Sequence, residues 1–233
     1  MTDDAGWFDH TLLNDAAAAA REVWDAVEPV DGLEPVKPSG PVLTCVQGTN
    51  ADLFPVALGM YAKPGDKIAD VTYGRGVFWR NVPAGLYDLH RSDLETGVDL
   101  RRLPYEDDSF DGVVLDPPYL NGGGNAKESL NKCYRNAGNM CHENVVALYL
   151  GGILEARRVL KRGGLLFIKC QPAVADHKQK LTHVQIMTVL PMIGFLIEDE
   201  FILRQTVVPL MRHTTQQHAR KNHSYLLVAR WVR

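Results

Sequence analysis

The sequence predicts an α/β fold, and two observations carry that reading. Short β-type runs bounded by turn residues recur along the chain, as at Lys67–Thr72, and those at Gly112–Leu115 and Leu165–Cys170 are mostly apolar, the pattern of strands buried within a sheet. Between them lie longer segments with apolar residues at helical spacing, as at Asn144–Leu160. Strands alternating with helices are the signature of an α/β sheet.

Taken in order, Asn14–Val27 reads as a helix, with alanines at 16 to 20 supplying propensity rather than packing. Glu28 to Pro41 holds four prolines and reads as an extended connection. A helix follows at Asn50–Ala62, then a turn at Lys63-Pro64-Gly65-Asp66. Lys67–Thr72 is a strand ending in a glycine-rich bend, and Leu86–Asp93 is the next strand. Gly112–Leu115, flanked by Phe110 and Asp116, is a buried strand. The helix Asn144–Leu160 is stopped by Lys161-Arg162-Gly163-Gly164, which places cations in the last turn. Leu165–Cys170 is a buried strand, Thr182–Ile193 a helix, and Leu196–Leu203 and Ser224–Val232 the last strands.

The chain has 233 residues, 45% hydrophobic and 23% charged. That suits one domain with small additions and is long enough to bury a core. A formal charge of -3 leans away from a strongly basic nucleic-acid binder while leaving room for a local basic face. The four cysteines are irregularly spaced, with neither a disulfide framework nor a zinc pattern, and no metal is expected. The acidic start and the absence of a long apolar run point to a cytoplasmic protein with no membrane span.

Two loops carry candidate chemistry. The first is Asp70-Val71-Thr72-Tyr73-Gly74-Arg75-Gly76, directly after a strand. Glycines there let backbone approach a ligand where open α/β sheets bind one, although a plain tight turn has the same composition. Further carboxylates follow at Asp93 and Asp99, and such acids at successive strand ends can accept hydrogen bonds from a ribose diol and an adenine amine. Asp88 competes with Asp93 for the ribose.

The second loop is Asp116-Pro117-Pro118-Tyr119. Two prolines fix φ and remove two N–H donors, leaving a rigid loop that presents carbonyls, a carboxylate and an aromatic face. An exocyclic amine needs two acceptors. Asp116 and the Pro117 carbonyl can supply them, and Tyr119 can stack on a flipped base.

With these residues the chain resembles the amino-methyltransferases of DNA, which modify adenine N-6 or cytosine N-4, and in texture the small methylases of phages and mobile elements. The resemblance covers roughly Thr44 to Arg233. It implies a Rossmann-like, seven-stranded fold with helices on both faces, S-adenosyl-L-methionine as cofactor, and duplex DNA as partner. Asp116-Pro117-Pro118-Tyr119 matches the catalytic motif. Asp70, Thr72, Tyr73, Gly74 and Gly76 resemble the cofactor motif, with Val71-Thr72 where the family has Pro-Phe. Gln47–Leu53, including Thr49, is similar to the segment cupping the methionine end, and Asp93, Asp99 and Leu100 complete the implied cofactor set. Asp at the first motif position leans toward adenine. The few residues between Asp93 and Asp99 imply that a helix usual in such folds is lost or reduced to a turn.

The chain then divides into an N-terminal helical and extended segment, 1–43, and a catalytic domain, 44–233. Residues 120–143 are the candidate target-recognition insert. Lys127, Lys132 and Arg135 there, with Lys169 at a strand end, are the candidate DNA contacts; each alone is also an ordinary solvated or capping side chain. His177–Lys180, Arg212-His213 and His218–His223 are further basic stretches. The competing functions are an RNA or protein-glutamine methyltransferase using a similar loop, and a non-catalytic subunit on the same fold. The oligomeric state, monomer or dimer, is open.

Overall fold

A computed structural model describes residues 40–118, 142–175, 177–205, 218–219 and 221–232. Seven strands form its central sheet: β1 (Cys45–Gln47), β2 (Lys67–Asp70), β3 (Asp88–Arg91), β4 (Phe110–Leu115), β5 (Leu160–Cys170), β8 (Phe195–Arg204) and β9 (His223–Trp231). Their order across the sheet is β1-β8-β9-β5-β4-β2-β3. A two-stranded hairpin, β6 (Ala173–Ala175) and β7 (Lys178–Lys180), follows β5. In the large sheet β9 runs against both β5 and β8, and every other pairing is parallel. The helices are α1 (Asn50–Tyr61), α2 (His142–Val159) and α3 (Thr182–Met192), with a 3-10 turn at Val77–Trp79.

The strand sequences explain the layering. Side chains alternate across a strand, and two separate cores result. On β4 and β5, Val113, Leu115, Leu166 and Ile168 face one core, into which α2 sends Val145, Leu148, Tyr149 and Ile153. Val114, Leu165 and Phe167 face the other, against Leu53, Phe54 and Leu58 of α1. Helices therefore cover both faces, and a central strand buried on both sides needs the near-continuous apolar run that β4 has. Phe54 anchors the second core, meeting Phe78, Trp79 and Phe167 edge-on at 5.0, 5.2 and 5.6 Å. Such pairs contribute about 0.5–1.5 kcal/mol each beyond burial.

The structure amends the sequence reading in three places. β1 is a strand that propensity did not mark, pairing in parallel with β8 through Cys45↔Ile202 and Gln47↔Arg204. The residues read as a helix stop, Lys161–Gly164, do end α2, but they belong to β5, which opens at Leu160 beside Phe110. Gly163 makes this passage at φ +83, a left-handed conformation that suits glycine. Finally, α2 begins at His142, inside the segment read as an insert. The Asn14–Val27 helix and residues 120–141 of that insert lie outside the described residues.

Residues 92–109 link β3 to β4 through turns and a single bridge, Asp99↔Arg102, with no helix. Arg158 of α2 holds this link in place. Its guanidinium donates to the Tyr105 carbonyl at 2.8 Å, to Leu103 O at 3.1 Å and to the Asp107 carboxylate at 2.7 Å. Glu155 pairs with Arg158 at 2.8 Å and accepts the Leu103 N–H at 2.8 Å. No helix in the described part is long and apolar enough to cross a membrane.

Candidate active site

The carboxyl ends of β2, β4 and β5 open on one edge of the sheet, and the antiparallel β9 begins there, Tyr225 lying beside Cys170. The chain leaves β2 for β3 on one side and returns as β4 on the other, so the point between β2 and β4 is a topological switch. In open α/β sheets that is where a ligand crevice forms.

The first loop is built around Asp70, which is 1% exposed. Its Oδ1 accepts the Thr72 N–H at 3.0 Å and its Oδ2 accepts the Trp79 indole N–H at 2.7 Å. The carboxylate thus ties both ends of the loop together rather than pointing outward. Burial pushes its pKa up to about 6, against the pull of the Trp79 and Thr72 hydrogen bonds. Gly74 and Gly76 sit at φ +50 and +64. Tyr73 lies so close over Gly76 that a Cβ there would meet the phenol oxygen at 2.6 Å.

Asp93 follows β3 and accepts the Gly74 N–H at 3.1 Å and the Thr96 N–H at 2.9 Å. Asp88 is different. It pairs with Lys67 at the start of β2, the end of the strands opposite the loop, and contacts His90. Between these two acids, geometry puts Asp93 beside the glycine loop. Asp99 is gripped by Arg101, whose Nε and Nη2 lie 3.0 and 2.6 Å from its two oxygens, and that hydrogen-bonded pairing holds its carboxyl below the ordinary range. Leu100 is 1% exposed and belongs to the core, against Leu115.

Thr49 caps α1. Its N–H and its hydroxyl both reach Asp52 Oδ2 at 2.8 Å, and Asn81, just past the 3-10 turn, touches the other Asp52 oxygen at 3.4 Å. β1 ends beside the end of β8, so Thr49 is brought to the same sheet edge as the loop.

Thr72 joins the two loops across the switch point. Its hydroxyl accepts the Asp116 N–H at 2.7 Å. The Asp116 side chain then carries a buried Oδ1 with no hydrogen-bond partner. Burial pushes this carboxyl up to about 7; Lys169 opposes the shift and Asp70 adds to it. The Pro117 carbonyl lies 3.5 Å from the Tyr149 hydroxyl, which donates its proton to Lys169 O at 2.8 Å. At 3.5 Å the Pro117 contact is too long for a good hydrogen bond, which leaves that carbonyl an acceptor. Pro118 follows, and Tyr119, Lys127, Lys132 and Arg135 lie outside the described residues. Lys169 is 1% exposed, with its ammonium on the Ser224 hydroxyl. It is therefore an interior group, not a surface cation reaching for a phosphate.

Sequence reasoning missed three contributors: Trp79, Tyr149 and Ser224. No sequence rule pairs the Trp79 indole with a carboxylate nine residues earlier. Tyr149 and Ser224 act through contacts that only the sheet register creates. Among the described residues, no group of three or more His, Cys, Asp or Glu gathers as a metal site.

No protein-family model matches the chain, and no curated protein matches it in sequence. Solved structures do match. A candidate methyltransferase from Bacillus halodurans superposes with TM-score 0.50 at 14% identity, over 78% of this chain and 100% of that one. TrmN from Thermus thermophilus gives TM-score 0.47 at 17% identity over 77% of this chain, which spans 48% of TrmN's length. A candidate DNA modification methylase, also from Thermus thermophilus and complexed with S-adenosyl-L-methionine, gives 0.39 at 19% identity over 71% of this chain and 55% of that one. The first likeness agrees with the strand order: this chain has the seven-stranded, Rossmann-like fold of S-adenosylmethionine-dependent methyltransferases.

Proposed function

We propose that this chain transfers the methyl group of S-adenosyl-L-methionine to the exocyclic amine of a flipped DNA base, adenine N-6 ahead of cytosine N-4. The observation that carries the reading is the unpartnered, sealed Asp116 oxygen, held next to the Pro117 carbonyl at the switch point. Buried polar atoms are normally satisfied, so an orphan in a loop braced from two sides is a site awaiting a partner. A base amine carries the two donors that these two acceptors lack.

The residues present also fit the cofactor. Gly74 and Gly76 in left-handed backbone let a ligand approach the loop closely, and Asp93 stands beside it with lone pairs for a ribose diol. Thr49 and Asn81 would close the methionine side and Asp99 the adenine side. When bound, S-adenosylmethionine supplies an electrophilic methyl on a sulfonium.

This chain's own groups do the rest. Asp116 Oδ1 accepts one amine hydrogen and the Pro117 carbonyl the other, which turns the nitrogen lone pair out of the base plane. The same two oxygens spread the positive charge that grows on the nitrogen. Once the nitrogen is methylated, its surplus proton passes to the Asp116 carboxylate and then to water. Tyr119, next in the chain, is assigned to stack on the extruded base. Lys127, Lys132 and Arg135 are assigned to the duplex backbone.

Transfer of labelled methyl from S-adenosylmethionine to duplex DNA, tRNA and a protein extract tests this. Duplex DNA should be labelled, Asp116→Ala should abolish labelling, and its cofactor affinity should stay within a few-fold. Label confined to tRNA or protein would overturn the substrate, and full turnover by Asp116→Ala would overturn the mechanism.

A further inference from the structure

The ammonium of Lys169 lies in the interior and the function above does not use it. Burying such a charge costs several kcal/mol unless another charge answers it. In the register of β4 and β5, Leu115 stands beside Ile168. Asp116 and Lys169 are the next residues along the two chains, so the register brings both to the same end of the sheet. The electrostatics of each reflects the other: Asp116 supports the charge of Lys169, and Lys169 supports that of Asp116.

They are nevertheless not hydrogen-bonded through Asp116 Oδ1, which has no partner. The Lys169 ammonium is drawn instead to the Ser224 hydroxyl of β9, itself 1% exposed. A direct ion pair would occupy the oxygen that the target amine needs. A tethered one leaves the oxygen open while still feeling the charge.

Resting on the reading of Asp116 as the amine acceptor, we propose that Lys169, held off by Ser224, is the positioning counter-charge that favours the ionised form of the Asp116 carboxyl and leaves its oxygen free for substrate. The groups around the pair sharpen the need. Asp70 on β2 repels the Asp116 charge. Cys170, next on β5, is pushed up to about 12 by burial and stays a neutral thiol; Glu200 of β8 faces it. Tyr149 of α2 is occupied with the Lys169 carbonyl. Among the described residues, Lys169 is the cation that acts on Asp116.

Two readouts test this, one of them independent of turnover. Carbon-13 NMR follows the Asp116 carboxyl titration in the cofactor-free protein, assigned by its loss in Asp116→Asn. Methyl transfer to duplex DNA is measured against pH in parallel. A unit charge about 6–12 Å away at an effective dielectric constant of about 20 moves a midpoint by roughly one to two pH units.

Lys169→Met should raise the Asp116 midpoint, and the acid limb of the rate profile, by that amount. Lys169→Arg should restore both. Ser224→Ala should do the reverse, releasing the ammonium onto Asp116, so that the midpoint falls and transfer drops several-fold. Ser224→Ala also keeps the test alive if Lys169→Met fails to fold. An unmoved midpoint in Lys169→Met, or loss of the basic limb instead of the acid one, overturns the proposal. Midpoints that move as expected in a protein that labels no nucleic acid leave the charge couple standing and remove the functional reading.

Discussion

The Asp116 carboxyl should weaken the fold, and the cost can be read from pH. An unfolded aspartate ionises near 3.8, whereas folded Asp116 holds its proton until about 7. Between those values the folded state binds more protons than the unfolded one, so stability falls as pH rises, by about 1.4 kcal/mol per unit. From about pH 5 to about pH 8 the loss runs over roughly the two units below the folded midpoint and then levels off, about 3 kcal/mol in all. Asp116→Asn has no charge to lose, and its slope from this source is zero. The unpaired amide carries a penalty of its own, but that penalty is the same at both pH values and cancels in the comparison. Lys169, stripped of its counter-charge in the variant, would favour its neutral form. A buried lysine with a depressed pKa makes stability rise with pH, which widens the difference in the same direction. Urea unfolding of both proteins at about pH 5 and about pH 8, with unchanged m values, measures the effect. Wild type should lose about 3 kcal/mol more than Asp116→Asn over that range, while the variant transfers no methyl. Parallel stability curves would refute the placement of an ionisable, desolvated Asp116 at the switch point.

Two other expectations follow from contacts described above. Thr72→Val removes the oxygen that accepts the Asp116 N–H. Transfer should fall by about tenfold or more through loss of about 1–3 kcal/mol of bracing, with cofactor affinity changed far less; calorimetry and labelled transfer together check this. Alanine in α2 should cost different amounts at adjacent positions. At Gly152 the new Cβ would lie 2.7 and 2.9 Å from the buried Leu100 and Leu115. Overpacking of about 1–3 kcal/mol there outweighs the gain of about 1 kcal/mol in helix propensity. At Gly151 it meets Cγ of the half-exposed Arg101 at 2.8 Å, which can give way only by loosening its pairing with Asp99, so the propensity gain is partly offset and the cost should be smaller than at Gly152. A midpoint lowered as much by Gly151→Ala as by Gly152→Ala would contradict this.

What the sequence made legible, and what it hid, follows from the range of the interactions. β4 and the inner part of β5 could be read because a strand buried on both faces must be apolar throughout. The proposed acceptor pair, Asp116 and Pro117, stands out in the sequence because a rigid pair of acceptors needs those residue types in adjacent positions. β1 could not: Cys45-Val46-Gln47 has one half-buried residue between two exposed ones, and it is a strand only because residues 202–204 lie alongside. Thr72 looked like a departure from the family motif, yet its hydroxyl is the link between the loops. An aromatic or apolar residue there would have no oxygen to offer Asp116. Lys169 looked like a surface cation at a strand end. Its burial depends on β9, which closes over it from fifty-five residues away.

The pairing of β1 with β8 has a consequence for assembly. Cys45 is made 157 residues before its neighbour Ile202. Until then the segment leading into α1 has no edge to join, and Thr49 has nothing to bring it to the crevice. Contacts so distant along the chain close late and slow folding. The Thr49 side of the crevice is therefore completed only once β8 has been made, so a nascent chain can hold its central strands together well before that edge of the crevice is whole.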